Sequence, residues 1–168
     1  MTVRPQDERL IIRYSWEEMD RLHREVARQV ERSGFAPQTI VGVMRCGQVS
    51  AVHLAYILGV PRVASVAVKT MASDAPLTTE RVPADVRVMA PSDYLAGQRV
   101  LLVDAVMESG TTAQLCLDAL AGHGVGEVRV AMITDWYTSS YKIASGVRPR
   151  IDFTGQRVTM WPDFPWEH

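Results

Sequence analysis

Cysteine is scarce in this chain of 168 residues: only Cys46 and Cys116, with no metal-like spacing between them. A reduced, cytoplasmic setting fits such a pair best. Charge of one sign is missing as well, since the formal net charge is −1. That balance excludes the basic face of a nucleic-acid or membrane-surface protein, and no helix-turn-helix or basic arm is visible. A polyanionic ligand would then have to be held by local donors and a metal ion. No apolar run approaches membrane-spanning length, and the stretch from Met1 to Arg9 lacks the apolar segment of a secretory signal. Internal repeats, low-complexity tracts, a Gly-x-Gly-x-x-Gly turn, a Walker lysine and a Ser/His/Asp order are all absent. What remains is one ordinary globular domain, long enough to bury a core.

The informative stretch is Val100 to Thr112, Val-Leu-Leu-Val-Asp-Ala-Val-Met-Glu-Ser-Gly-Thr-Thr. Four apolar residues run into Asp104, a polar turn follows, and an amphipathic run begins at Ala113. This predicts a buried strand, a tight loop and a helix, with the loop at the strand's carboxyl end, where open α/β sheets bind ligands. Gly110 permits the turn. Ser109, Thr111 and Thr112 hydroxyls, with the free N–H groups of the helix start, offer donors to an anion. Charge-assisted bonds of this kind contribute roughly 1.5–3 kcal/mol each, so four or five can hold a phosphate without a lysine.

These residues resemble the signature of the type I phosphoribosyltransferases: apolar residues, two acids, three variable positions, then Thr or Ser, Gly, any residue and Thr. Asp104 is the first acid, Ser109, Gly110 and Thr112 match, and Ala105 stands where the second acid belongs. The resemblance implies that Asp104, Ala105, Glu108, Ser109, Gly110, Thr111 and Thr112 surround the ribose 5-phosphate of phosphoribosyl pyrophosphate (PRPP), with Asp104 on a ribose hydroxyl. It also implies an α/β fold: a mostly parallel central sheet flanked by helices, with a small hood from the chain ends.

Upstream, Leu10 to Tyr14 is a short strand candidate. Ser15 and Glu18 form a capping box that opens a helix from Trp16 to about Glu31, with Trp16, Met19, Leu22, Val26 and Val30 on its apolar face. His23 is expected to be partly exposed. Thr39 to Val43 is an apolar strand that stops at Met44-Arg45-Cys46-Gly47, and the next helix is expected to bury Val49, Val52, Leu54, Ala55 and Leu58. This second strand–loop–helix unit resembles the pyrophosphate loop of purine phosphoribosyltransferases. Arg45, Cys46 and Gly47 would then hold pyrophosphate, and the family's frequent cis peptide would fall at Met44–Arg45. Arg62 to Val68 is a third strand. Residues 69–85 read as a mobile loop over the site, with Lys69 at its start as a further PRPP contact; Val86 to Met89 is an edge strand, and Val128 to Thr134 another buried one. Alternation of this kind gives a parallel sheet with right-handed crossovers.

The segment 151–168 ends in Trp161-Pro162-Asp163-Phe164-Pro165-Trp166-Glu167. Its rings offer a flat platform for an aromatic ligand. It resembles the carboxyl segment of bacterial and archaeal xanthine–guanine and hypoxanthine phosphoribosyltransferases. That implies Trp161 stacked on a purine, the Pro162 carbonyl reading the base edge, and Glu167, with Asp104, organising Mg2+. Where many purine enzymes have a lysine, this chain has Asp135-Trp136. An ionised Asp135 accepts hydrogen bonds and cannot donate them, so facing the base it would favour an amino group. The implied reaction joins PRPP to a purine-like base and releases pyrophosphate, with Arg45 at the leaving group and Glu108 as general base. The implied enzyme needs no nucleic acid or membrane and is a homo-oligomer, dimer or tetramer. Ala105 leaves an alternative open: a weak or inactive protein that binds PRPP or a nucleotide as a regulator or partner.

Overall fold

The computed structural model describes residues 11–71, 81–137 and 148–168. Its centre is a six-stranded sheet in the order β4-β3-β2-β5-β6-β7, from β2 (Thr39–Val43), β3 (Val63–Met71), β4 (Arg81–Met89), β5 (Arg99–Met107), β6 (Glu127–Trp136) and β7 (Phe153–Val158). All neighbours run parallel except β4, which returns antiparallel along β3 at the edge. The central strands β2, β5 and β6 are largely apolar because both their faces are covered. On β5, Leu101, Val103 and Ala105 enter the layer with α1 (Trp16–Arg32) and α2 (Cys46–Leu58). Val100 and Leu102 enter the layer with α3 (Thr111–Gly122).

Both ends of the described chain meet in a separate two-stranded parallel sheet, β1 (Ile11–Arg13) with β8 (Trp161–Asp163). The aromatic tail is bolted to α1 and its approach: Phe164 stacks on Tyr14 and on Trp166, and Trp166 leans against Trp16. This is the expected hood, and the mostly parallel α/β architecture is the one the pattern predicts.

Several local expectations need correction. The Ser15–Glu18 capping box forms and α1 buries Met19, Leu22, Val26 and Val30, but Trp16 is 62% exposed. Its ring leans on Trp166 of the tail and otherwise stays in solvent. His23 is only 1% exposed, with Nδ1 2.5 Å from the Met19 carbonyl oxygen, and burial pushes its pKa down to about 4. On α2, Leu54 and Ala55 are buried as expected, but Val49 and Val52 face outward, and Gly47, Ser50 and Ala51 are buried in their place. Residues at both ends of the expected 69–85 loop belong to β3 and β4, and 72–80 lie outside the described residues.

Candidate active site

The chain leaves β2 through α2 toward β3, and leaves β5 through α3 toward β6, on opposite faces of the sheet. Two adjacent parallel strands whose connections diverge leave a crevice at their carboxyl ends, the usual ligand position in such sheets. A cavity of about 360 Å³ opens there. A broader depression of about 610 Å³ includes Gln38, Pro61 and Gln98, at the opposite, amino ends of β2, β3 and β5.

Three parts of the chain line the carboxyl-end cavity. From the β2 loop come Met44, Arg45 and Cys46; the Met44–Arg45 peptide is cis, as the resemblance implied. From β5 and its loop come Asp104, Val106, Met107, Glu108, Ser109, Gly110, Thr111 and Thr112. From the hood comes Trp161, with Met132 of β6 and Val68 and Thr70 of β3 completing the wall. The two motifs far apart in sequence therefore face one space.

Gly110 has φ +86°, a left-handed conformation that a side chain would strain. It ends the loop without a side-chain cap, so the first N–H groups of α3 point onward without a protein side chain at the cap position. Within the loop, Ser109 Oγ and Thr111 Oγ1 lie 3.1 Å apart. The result is a nest of hydroxyls and amides suited to a phosphate.

Asp104 sits at the cavity floor. Burial pushes its carboxyl up to about 7, against the lowering effect of the Ala105 N–H, which donates to Oδ1 at 2.7 Å. Burial likewise raises the Cys46 thiol, so it stays protonated at neutral pH. Cys46 Sγ lies 3.8 Å from Glu167 Oε1, while Glu167 Oε2 accepts the Phe164 N–H at 3.1 Å. The hood thus touches the pyrophosphate-type loop directly.

Other expected site residues lie elsewhere. Ala105 is 0% exposed, inside the α1/α2 layer, and contributes no wall to the cavity. Gly47 is buried against Asp104 and supplies close approach instead of ligand contact. Lys69 is exposed, and strand alternation turns Val68 and Thr70, not Lys69, toward the cavity. Pro162 is buried in β8 opposite Ile12. Trp136 meets Trp161 edge to face at 4.9 Å and donates its indole N–H to the Thr159 carbonyl, so it backs the wall.

Asp135 is the clearest correction. It is 1% exposed, and both carboxylate oxygens are engaged: Oδ1 by Arg148 Nη2 and Oδ2 by Arg157 Nε at 2.9 Å. A buried carboxylate between two guanidinium groups has no free oxygen to present to a base amino group. The reading that derived an amino-bearing base from Asp135 therefore falls. Arg148 and Arg157 had no signal in sequence, because only the β6–β7 pairing and the chain's return past the loop bring them to Asp135.

Among the described residues no group of three or more His, Cys, Asp or Glu side chains could hold a metal ion. Mg2+ normally takes one or two carboxylates and fills its octahedron with waters and phosphate oxygens. Asp104, a buried acid lining the cavity, offers one such carboxylate and leaves room beside it for water and substrate oxygens; Glu167 is committed in part to the Phe164 N–H.

A sequence profile described as a phosphoribosyl transferase domain matches residues 14–167. Among solved structures, purine phosphoribosyltransferase from Pyrococcus horikoshii Ot3 superposes with a TM-score of 0.73 at 24% identity, covering 95% of each chain. A hypothetical protein from Neisseria gonorrhoeae with bound ppGpp gives 0.72 at 24%, covering 94% of this chain and 89% of its own. Helicobacter pylori xanthine-guanine-hypoxanthine phosphoribosyltransferase gives 0.70 at 22%, covering 94% and 93%. A search of curated protein sequences returns no match. At these identities the structural likenesses show the fold.

Proposed function

The chain belongs to the phosphoribosyltransferase domain family, and from that premise we propose that it transfers the phosphoribosyl group of PRPP to a purine or purine-like base. One observation carries the reading: Arg45, Asp104, the Val106–Thr112 stretch and Trp161 line one cavity at the carboxyl ends of β2 and β5. In the proposed reaction the base nitrogen bonds to the anomeric carbon, the bond from that carbon to pyrophosphate oxygen breaks, and the base proton leaves to Glu108. Ser109 to Thr112 hold the 5-phosphate, Asp104 holds a ribose hydroxyl, and Arg45 neutralises charge growing on the leaving group. Trp161 gives the base a ring to stack on. Mg2+, held by Asp104 and substrate oxygens, would supply further neutralisation of the pyrophosphate.

Helix α2 contains no Asp, Glu, Lys or Arg and leaves Val49, Val52 and Tyr56 on the surface, Tyr56 at 84% exposure. An uncharged, apolar helix face of this kind supports a homo-oligomer. The membrane-free reading has the support that no helix among the described residues is long and apolar enough to cross a bilayer. A cytoplasmic site is supported by two unpaired cysteines, Cys46 and Cys116.

The deciding experiment measures pyrophosphate release from PRPP against adenine, guanine, xanthine, hypoxanthine and purine analogues, with and without Mg2+. Magnesium-dependent release with at least one base is expected. A second reading, nucleotide binding without turnover, is favoured by Ala105 and by the fold's likeness to a protein with bound ppGpp. Tight binding of PRPP or ppGpp with no release from any base would select it.

A further inference from the structure

We infer that Arg148 is a positioning residue for the phosphate loop, held in place by Asp135, and that the grip on the sugar's 5-phosphate depends on it. This rests on the transferase reading above. Met107, Asp135 and Arg157 stand abreast at the carboxyl edge of the sheet, since Met107 pairs with Asp135 across β5 and β6, and Asp135 with Arg157 across β6 and β7. Arg148 closes this row. Its Nη2 donates to Asp135 Oδ1 and also to the Met107 carbonyl at 3.0 Å, the last residue before the loop.

The same dipeptide touches the loop's other end. A Cβ on Gly110 would lie 2.6 Å from Pro149 Cδ and 3.0 Å from Arg148 Cγ. Arg148 and Pro149 therefore pack on the Cα of the residue that turns the loop into α3, while the guanidinium fixes its start. The loop's own side-chain bonds, Ser109 Oγ with Thr111 Oγ1 at 3.1 Å and the Thr111 N–H to Ser109 Oγ at 3.4 Å, tie the turn to itself and not to the sheet. A planar, permanently charged fork suits the double role, because one nitrogen bridges a carboxylate and a carbonyl in fixed geometry. A lysine keeps the charge but not the fork. Arg148 does not line the cavity. Its effect passes through the loop backbone, which must hold hydroxyls and amides where the phosphate oxygens lie.

The test compares Arg148→Lys and Arg148→Gln with the unsubstituted protein, using ribose 5-phosphate binding by calorimetry, KM for PRPP, KM for the base and kcat. Fold is checked by circular dichroism and thermal melting. Expected is a loss of about tenfold, equal to about 1.4 kcal/mol, in ribose 5-phosphate affinity and in KM for PRPP. KM for the base should stay within about twofold and kcat should fall less than KM rises. Unchanged phosphate affinity, an equal loss for phosphate and base, or loss of fold in both variants overturns the inference and leaves Arg148 a stability element. Failure of the unsubstituted protein to bind ribose 5-phosphate or PRPP overturns the transferase reading itself and this inference with it. That result appears before any variant is compared.

Discussion

Gly47 lies against Asp104: a Cβ on Gly47 would stand 2.8 Å from both Cα and Oδ1 of Asp104, and 2.7 Å from the Val103 carbonyl oxygen. The start of α2 and the end of β5 approach each other only because that side chain is absent. The loops that follow β2 and β5 are thereby set side by side. Gly47→Ala must push α2 off β5. It should cost about 1–3 kcal/mol of stability by overpacking and raise KM for PRPP. Urea unfolding and steady-state kinetics read the two effects, and a variant unchanged in both would refute the close-approach role.

The Asp104 carboxyl, raised by burial from 3.8 to about 7, makes stability depend on pH in an unusual sense. Between the unfolded and folded pKa values the native state binds the extra proton, so stability falls as pH rises from about 4 through about 7. Asp104→Asn removes that slope and is expected to be more stable than the unsubstituted protein above pH 7, with little difference below pH 4. Urea midpoints at pH 5 and pH 8 for both proteins decide it. Parallel pH profiles would show that Asp104 carries no such linkage.

Ala105 marks the missing second acid, and its surroundings say what restoring the acid would do. The residue is wholly buried with Leu101 and Val103, and its carbonyl accepts the Thr134 hydroxyl at 2.8 Å. Ala105→Asp would bury a carboxylate in an apolar layer, at a cost of several kcal/mol or a strongly raised pKa. A melting temperature lower by more than about 5 °C and no gain in turnover are expected. A stable, faster variant would mean that the position can swing toward the ligand.

Glu108 lines the cavity at the turn between β5 and α3. If it takes the base proton, Glu108→Gln should lower kcat by about 10²-fold or more while KM for PRPP stays within about threefold. Equal losses in both would assign it to ligand binding.

The uncharged face of α2 gives a prediction about assembly. Tyr56→Glu, at a position 84% exposed in the single chain, should leave the melting temperature of a monomer unaffected and shift the molar mass from dimer or tetramer to monomer. Light scattering after size exclusion measures it. A monomeric unsubstituted protein would remove the proposed role of this face.

The sequence marked the phosphate loop, the arginine loop and Trp161 because each is a local pattern: an apolar run stopped by an acid, a Gly-flanked turn, a ring cluster fixed by prolines. It misjudged α2 for a physical reason. That helix packs through Gly47, Ala51 and Ala55, small residues four apart, with Gly47 close to β5 and Ala51 close to Gly42 of β2. The larger Val49 and Val52 are left outside. A reading that favours the larger apolar side chains keeps Leu54 inside but misplaces Val49 and Val52 on such a helix. Asp135 was misread because its role is set by strand register: Arg157 is its cross-strand neighbour, and no local spacing reveals that. Lys69 failed likewise, since the stretch taken as a loop continues as strand and alternation turns the side chain away.

The parallel pairing of Ile11 with Trp161 joins the first and last strands of the described residues. Trp161, which completes the cavity, and Arg148, which braces the anion nest, both come from the chain after β6, so the nest and the seat for the base are finished together, once that last part has docked.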